Sequence, residues 1–225
     1  RKESSAASDV YKRQQLHLQS GSLRIGVLPS VAIEPLPRVL VDYRQRYPGI
    51  DISLRDGRAG EIRQWVGNAE VDFAITSVAD EPGMLDFQPL YDDSLVLLVR
   101  GLGGLRGKKL LAALQNLDYV ATTRDTSLRS MADQTLERMG LLPEPAFEVA
   151  YMSSAAALAR AGLGYALLPA SVADTFNGDG SLSVHPLPMA PARGIGVLQR
   201  KPCYLSPPAQ AFVSMLKQHA EAIGL

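Results

Sequence analysis

The sequence predicts an α/β protein built as two similar halves. Three observations carry this. Buried strands alternate with helices, the order β-α-β-α-β runs through the chain twice, and strand-like segments at 94–99 and 195–199 pass between the halves. Strands that alternate with helices form mostly parallel sheets covered on both faces. Two such lobes joined by two crossings make a hinged, cleft-containing module.

The first strand is LRIGVL at 23–28. After Pro29-Ser30, the residues Leu36, Val39, Leu40, Tyr43 and Tyr47 fall at helical spacing. Pro35 and Pro37 suit the first turn of that helix, and Pro48-Gly49 stops it. Ile50, Ile52 and Leu54 alternate as a strand with one exposed face, and Asp56-Gly57 turns the chain. Ile62, Trp65, Val66 and Ala69 predict a second helix, and VDFAI at 71–75 is the third strand, ending in Thr76-Ser77.

The second half repeats the order. A strand at 119–123 leads to Asp125, Thr126 or Ser127 as cap of a helix bearing Leu128, Met131, Ala132, Thr135, Leu136 and Met139. Gly140 stands where a helix-ending glycine belongs. A strand at 147–151 precedes Ser153 or Ser154 as the next cap, a helix over 155–161 closed by Gly162, and a strand at 165–168. Ser206-Pro207-Pro208 opens a last helix carrying Phe212, Val213 and Leu216.

The composition excludes several functions. With 23 Lys and Arg against 23 Asp and Glu, the chain is formally neutral, so it lacks the concentrated cations that nucleic acid or an anionic membrane would require. Hydrophobic residues make up 46%, yet no apolar run approaches the roughly 20 residues of a membrane span. The single cysteine, Cys203, fits a reducing cytoplasm and rules out cysteine-based zinc sites. His17, His185 and His219 are isolated, which argues against any metal site. GLGG at 101–104 lacks the third glycine of a dinucleotide fingerprint, no Gly-x-Ser-x-Gly elbow surrounds a serine, and no catalytic constellation or cofactor is expected. Residues 1–14, RKESSAASDVYKRQ, carry no signal-peptide pattern and resemble a translated adapter scar; 1–22 are expected to be scar and linker remnant.

The site is expected where α/β sheets bind ligands, beyond the carboxyl ends of the strands, where helix N-termini offer unpaired N–H groups to an anion. Those ends carry hydroxyls: Ser30, Thr76 and Ser77 in the first half, Thr123, Thr126, Ser153 and Ser154 in the second. Each could equally be a helix cap. Together they suit a small anion, an organic acid or amino acid, held between the lobes. Arg58 and Arg124 could each offer a bidentate carboxylate partner or lie solvated at the surface.

The stretches SGSLRIGVLPSVAIEPLPRVLVDYRQRYPGIDISLRDG, WVGNAEVDFAITS and SSAAALARAGLGYALLPASVA resemble the effector-binding domain of LysR-type transcriptional regulators, from about Gly21 to the C-terminus. The resemblance implies two Rossmann-like subdomains of the type II periplasmic-binding-protein fold with two crossover strands. Their expected extents are 23–98 with 200–225, and 99–199. It implies an effector wall of Ser30, Val31, Ala59, Gly60, Thr76 and Ser77 in one lobe, and of Thr126, Met152 and Ser153 in the other. Ala59 stands where several members carry a polar side chain. It further implies a cytoplasmic homodimer formed through helices near 35–47 and 127–139, and a tetramer in the full-length parent. DNA would be bound only through an N-terminal winged helix-turn-helix domain. Two other readings share this fold: a transporter's solute-binding protein, which requires a secretory signal, and an enzyme, which requires an acid, base or nucleophile at the strand ends.

Overall fold

The computed structural model describes residues 20–77, 83–202 and 204–222. The expectations for 1–14, for His17 and for Cys203 lie outside them. The chain forms two compact units, Arg1–Tyr91 with Gly194–Leu225, and Asp92–Arg193.

The first unit holds β1 (Gly21–Val27), the short α1 (Pro29–Ile33), α2 (Leu36–Arg46), β2 (Ile50–Asp56), α3 (Ala59–Gly67), β3 (Phe73–Ser77), most of β4 (Leu85–Asp93) and of β10 (Arg193–Arg200), whose ends Asp92, Asp93 and Arg193 belong to the second unit, and α8 (Pro207–Ala222). Its sheet has the order β2-β1-β3-β10-β4, with β1 parallel to β2 and β3, and β10 antiparallel to β3. Every residue of β3 is buried, as a strand covered on both faces requires. Tyr43 of α2 and Phe212 of α8 meet edge to face at 5.1 Å, and the Tyr43 hydroxyl donates to the Pro208 carbonyl at 2.9 Å. Each such fully buried aromatic contributes about 2 kcal/mol by burial.

The second unit holds β5 (Leu95–Arg100), α4 (Gly107–Leu114), β6 (Tyr119–Thr122), α5 (Ser127–Arg138), β7 (Pro145–Val149), α6 (Met152–Arg160), β8 (Tyr165–Pro169), a 3-10 turn at Ala170–Val172, α7 (Ala173–Phe176) and β9 (Leu182–Pro186). Its sheet runs β7-β6-β8-β5-β9. β6 is parallel to β7 and β8, while β5 is antiparallel to both β8 and β9. Because Leu97 of β5 pairs with Leu167 and with His185, that strand lies inside the second sheet. The units therefore divide after Tyr91 and Arg193, earlier than the expected 98 and 199.

Two strands escape the sequence pattern, β4 and β9. Both are sheet edges, and they contain Pro89 and Pro186, residues tolerated where one side of the strand needs no partner. The capping expected of Ser153 or Ser154 is corrected. Helix α6 starts at Met152, its N-cap is Tyr151 in extended conformation, and no side chain caps it. The Tyr151 carbonyl already accepts from the Ser154 and Ala155 amides, which puts both serines inside the first turn. The predicted stop holds: Gly162, at φ 83, donates its N–H to Ala159, and Leu163 donates to Leu158. Gly164 follows because a Cβ there would stand 2.3 Å from the Asp118 carbonyl oxygen, which accepts from Tyr165 N–H as the chain re-enters the sheet.

Candidate functional site

In the first unit, register puts three carboxyl ends on one sheet edge, since Val27 pairs with both Asp56 and Ile75. Leu28 N–H donates to Ile75 and Gly57 N–H to Val27, each at 3.1 Å, fixing the loops that follow. The structure thereby brings Ser30, Val31, Arg58, Ala59, Gly60, Thr76 and Ser77 to that edge. Ser30, Thr76 and Ser77 are buried; Arg58 and Gly60 are exposed, and Ala59 is half-buried. Val31 belongs to the hydrophobic core. Ser30 is not a cap, because it sits within α1, whose N-cap is Leu28. Arg58 is the N-cap of α3, and its backbone N–H is taken by the Glu61 carboxylate at 2.9 Å, so this helix end carries an acid of its own. A Cβ at Gly60 would meet no heavy atom within 4 Å.

The informative atom is Thr76 Oγ1. It is buried and has no hydrogen-bond partner. Leaving a buried hydroxyl unpaired costs about 1–3 kcal/mol, so such a group calls for an explanation.

In the second unit, Thr122 pairs with Val149, and Thr123 N–H donates to the Val149 carbonyl at 3.0 Å, which aligns the ends of β6 and β7. Thr126 caps α5 as expected, accepting from Arg129 N–H at 3.2 Å. Its own hydroxyl donates to the Thr123 carbonyl at 2.9 Å, so the 3.1 Å contact between the Thr122 and Thr126 hydroxyls is a donation by Thr122. Arg124 and Ser153 are exposed, and Met152 is buried. Thr123 Oγ1 is a second buried hydroxyl without a partner.

Two features went unread in the sequence. Arg129, whose side chain is 4% exposed, reaches Asp133, Glu148 and the Thr122 carbonyl. Burial alone would lower its pKa, but the hydrogen bonds to Glu148 and Asp133 prevail and raise it. A helical arginine reads as solvated; the only signal was the acid four residues on. The second is Asp93, a buried carboxylate beside the end of β8, where only hydroxyls were expected. It accepts from Ser171 N–H, Ser171 Oγ and Arg193 at 3.2, 2.8 and 2.9 Å. Three donors hold it, which suits a structural clasp rather than a proton carrier. His185 lies buried in β9, and His219 pairs with Asp42 at 2.8 Å. Among the described residues no three His, Cys, Asp or Glu side chains gather as metal ligands, and no helix is long and apolar enough to cross a membrane.

A family model described as the LysR substrate binding domain matches residues 17–221. The transcriptional regulator GltR of Bacillus subtilis is 25% identical over 204 residues, covering 89% of this chain and 67% of that protein. A probable hydrogen peroxide-inducible genes activator of Streptomyces viridosporus is 31% identical over 155 residues, covering 67% of this chain and 49% of its own. The chain thus spans about half to two thirds of these relatives. The effector binding domain of QuiR in complex with shikimate superposes with a TM-score of 0.73 at 19% identity, covering 91% of this chain and 99% of that one. The Synechocystis PCC6803 CcmR regulatory domain in complex with 2-PG gives 0.76 at 24%, covering 88% and 97%. Two Rossmann-like α/β units are thus the fold that this chain shares with LysR regulatory domains, and the chain belongs to the LysR substrate binding domain family.

Proposed function

We propose that the domain senses a small anionic effector, an organic acid or amino acid, through residues at the strand ends of its α/β units. One set is Ser30, Arg58, Ala59, Gly60, Thr76 and Ser77; the other is Thr123, Arg124, Thr126, Met152 and Ser153. The observation that carries this is the pair of buried hydroxyls without partners, Thr76 Oγ1 and Thr123 Oγ1, one in each set. A ligand that accepts from such a hydroxyl would relieve its desolvation penalty. The first-turn amides of α6, which no side chain caps, add donors suited to an anion.

The effector favours one arrangement of the domain by its differential affinity for the alternatives. That preference controls DNA binding by an N-terminal helix-turn-helix domain of a cytoplasmic parent protein. The domain works as a homodimer, and as a tetramer in the parent. Val41, 56% exposed on α2, is an apolar residue outside that helix's core stripe and supports an interface there. The regulator relatives favour this role over a transporter's binding protein. The engaged state of Asp93 favours it over an enzyme.

Thermal-shift titration with carboxylic acids and their amides tests the proposal, because binding to the native state raises apparent stability. Thr76→Val is the sharp variant. It replaces an unpaired hydroxyl with a methyl of the same shape, so the free domain should be about 1 kcal/mol more stable while acid affinity falls about tenfold. A less stable variant with unchanged affinity would refute the assignment.

A further inference from the structure

The second unit's strand-end set hangs on one side chain. We infer that Arg129 is a positioning residue that holds the loops 123–126 and 150–153 in fixed register without touching the effector; this rests on the site proposed above. Its guanidinium joins three elements. Nε donates to both Asp133 oxygens at 2.9 and 2.8 Å within α5, and a terminal nitrogen donates to the Thr122 carbonyl at the end of β6, 3.1 Å away. That same nitrogen donates to Glu148 of β7 at 2.8 Å. The backbone N–H of the residue completes the set on Thr126 Oγ1.

β7 needs such a brace. It is an edge strand of five residues, and its ladder with β6 contains a register shift between Tyr119 and Val120. Three residues separate Glu148 from Met152, so the position of the α6 N-terminus follows that of β7. Anion capture is excluded for Arg129 itself, since two carboxylates surround its one positive charge. The geometry is also specific to arginine. A planar fork with several nitrogens can serve separated acceptors at once, whereas an ammonium donates from a single point.

The experiment compares Arg129→Met, Arg129→Lys and Glu148→Gln by amide hydrogen exchange on the free domain, and by titration with inorganic phosphate followed through the amide resonances of 123–129 and 152–155. Asp133 and Glu148 are 50% and 44% exposed, so losing the arginine strands neither of them in the core. Both arginine variants should exchange about tenfold faster in the two loops while β8 keeps its protection, and should bind phosphate about tenfold more weakly. Glu148→Gln should loosen 150–155 alone. If Arg129→Met leaves both loops as protected as the wild type, or loosens the whole unit evenly, Arg129 merely fills space and the inference is overturned. Wild-type loops that ignore phosphate would count against the anion site, while the exchange data would still decide the brace.

Discussion

The two units treat buried polarity differently. Among the described residues of the first unit, the buried Ser, Thr, His and charged side chains are Ser30, Thr76 and Ser77, and all three stand at strand ends. The second unit buries Asp93, Thr122, Arg129, Thr135, His185 and Arg193, most of them joined in ion pairs and hydrogen bonds. In the first unit backbone ladders and apolar packing align the strand ends, and the buried Thr76 hydroxyl there has no partner. In the second unit a polar network does part of that work. Removing the Thr76 hydroxyl should therefore be harmless to folding, whereas removing a member of the second unit's buried network should be costly.

The largest test of this contrast is Asp93→Ala. It leaves Arg193, 5% exposed at the side chain, without its carboxylate and takes the acceptor from Ser171. Breaking a buried pair in this way costs about 3–5 kcal/mol. Urea unfolding should place that loss in the second unit, and a change below about 1 kcal/mol would show that the clasp does not hold the fold. Thr76→Val in the first unit should lose no stability in the same assay while weakening acid binding.

Next comes Gly164→Ala. The new Cβ would meet the Asp118 carbonyl at 2.3 Å, a backbone atom that cannot swing aside, at a φ of 151° that disfavours other residues. A loss of about 3 kcal/mol is expected from overpacking and strain together. The first-unit counterpart is Gly60→Ala, where a methyl meets nothing and glycine's entropy is removed from a helix, so stability should rise by about 0.5–1 kcal/mol. Any loss of acid affinity in that variant would report a ligand close to α3.

How far the sequence carried these features depends on the kind of signal. Helix periodicity, the helix-ending glycines and the parallel core strands are local patterns, and they were legible. The placement of Ser30, Thr76 and Thr126 at strand ends followed from those elements. β4 and β9 were not legible because edge strands need neither alternation nor freedom from proline. Arg129 and Asp93 were hidden for another reason. Their partners Glu148 and Arg193 are 19 and 100 residues away, and only the folded sheet brings them together. Ser153 misled for a third reason, since a hydroxyl ahead of an alanine run suggests a cap wherever the helix begins.

That last error gives a smaller, sharper test. Thr126→Ala removes a real cap and should cost about 1 kcal/mol, with Thr126→Ser restoring most of it. Ser153→Ala removes no cap and should stay within about 0.5 kcal/mol. Equal losses would mean that Ser153 supports the helix after all, and its availability to a ligand would lapse.

The smallest effect concerns how the two units end their helices. α5 and α6 close on glycines in the left-handed region, Gly140 at φ 74 and Gly162 at φ 83. α3 closes with the same pair of hydrogen bonds, Ala69 N–H to Val66 and Glu70 N–H to Trp65, but the left-handed residue is Ala69 at φ 62. An L side chain there is strained by about 1–2 kcal/mol, part of which glycine would return as extra freedom in the unfolded chain. Ala69→Gly should thus stabilise the first unit by about 0.5–1 kcal/mol, read as a higher urea midpoint at constant slope. Gly140→Ala should lose about as much from the second. Stabilisation by Ala69→Gly with no change in acid affinity would show that this strained turn lies apart from the ligand; a stabilised domain that binds acid more weakly would instead tie the close of α3 to the effector wall proposed at its other end.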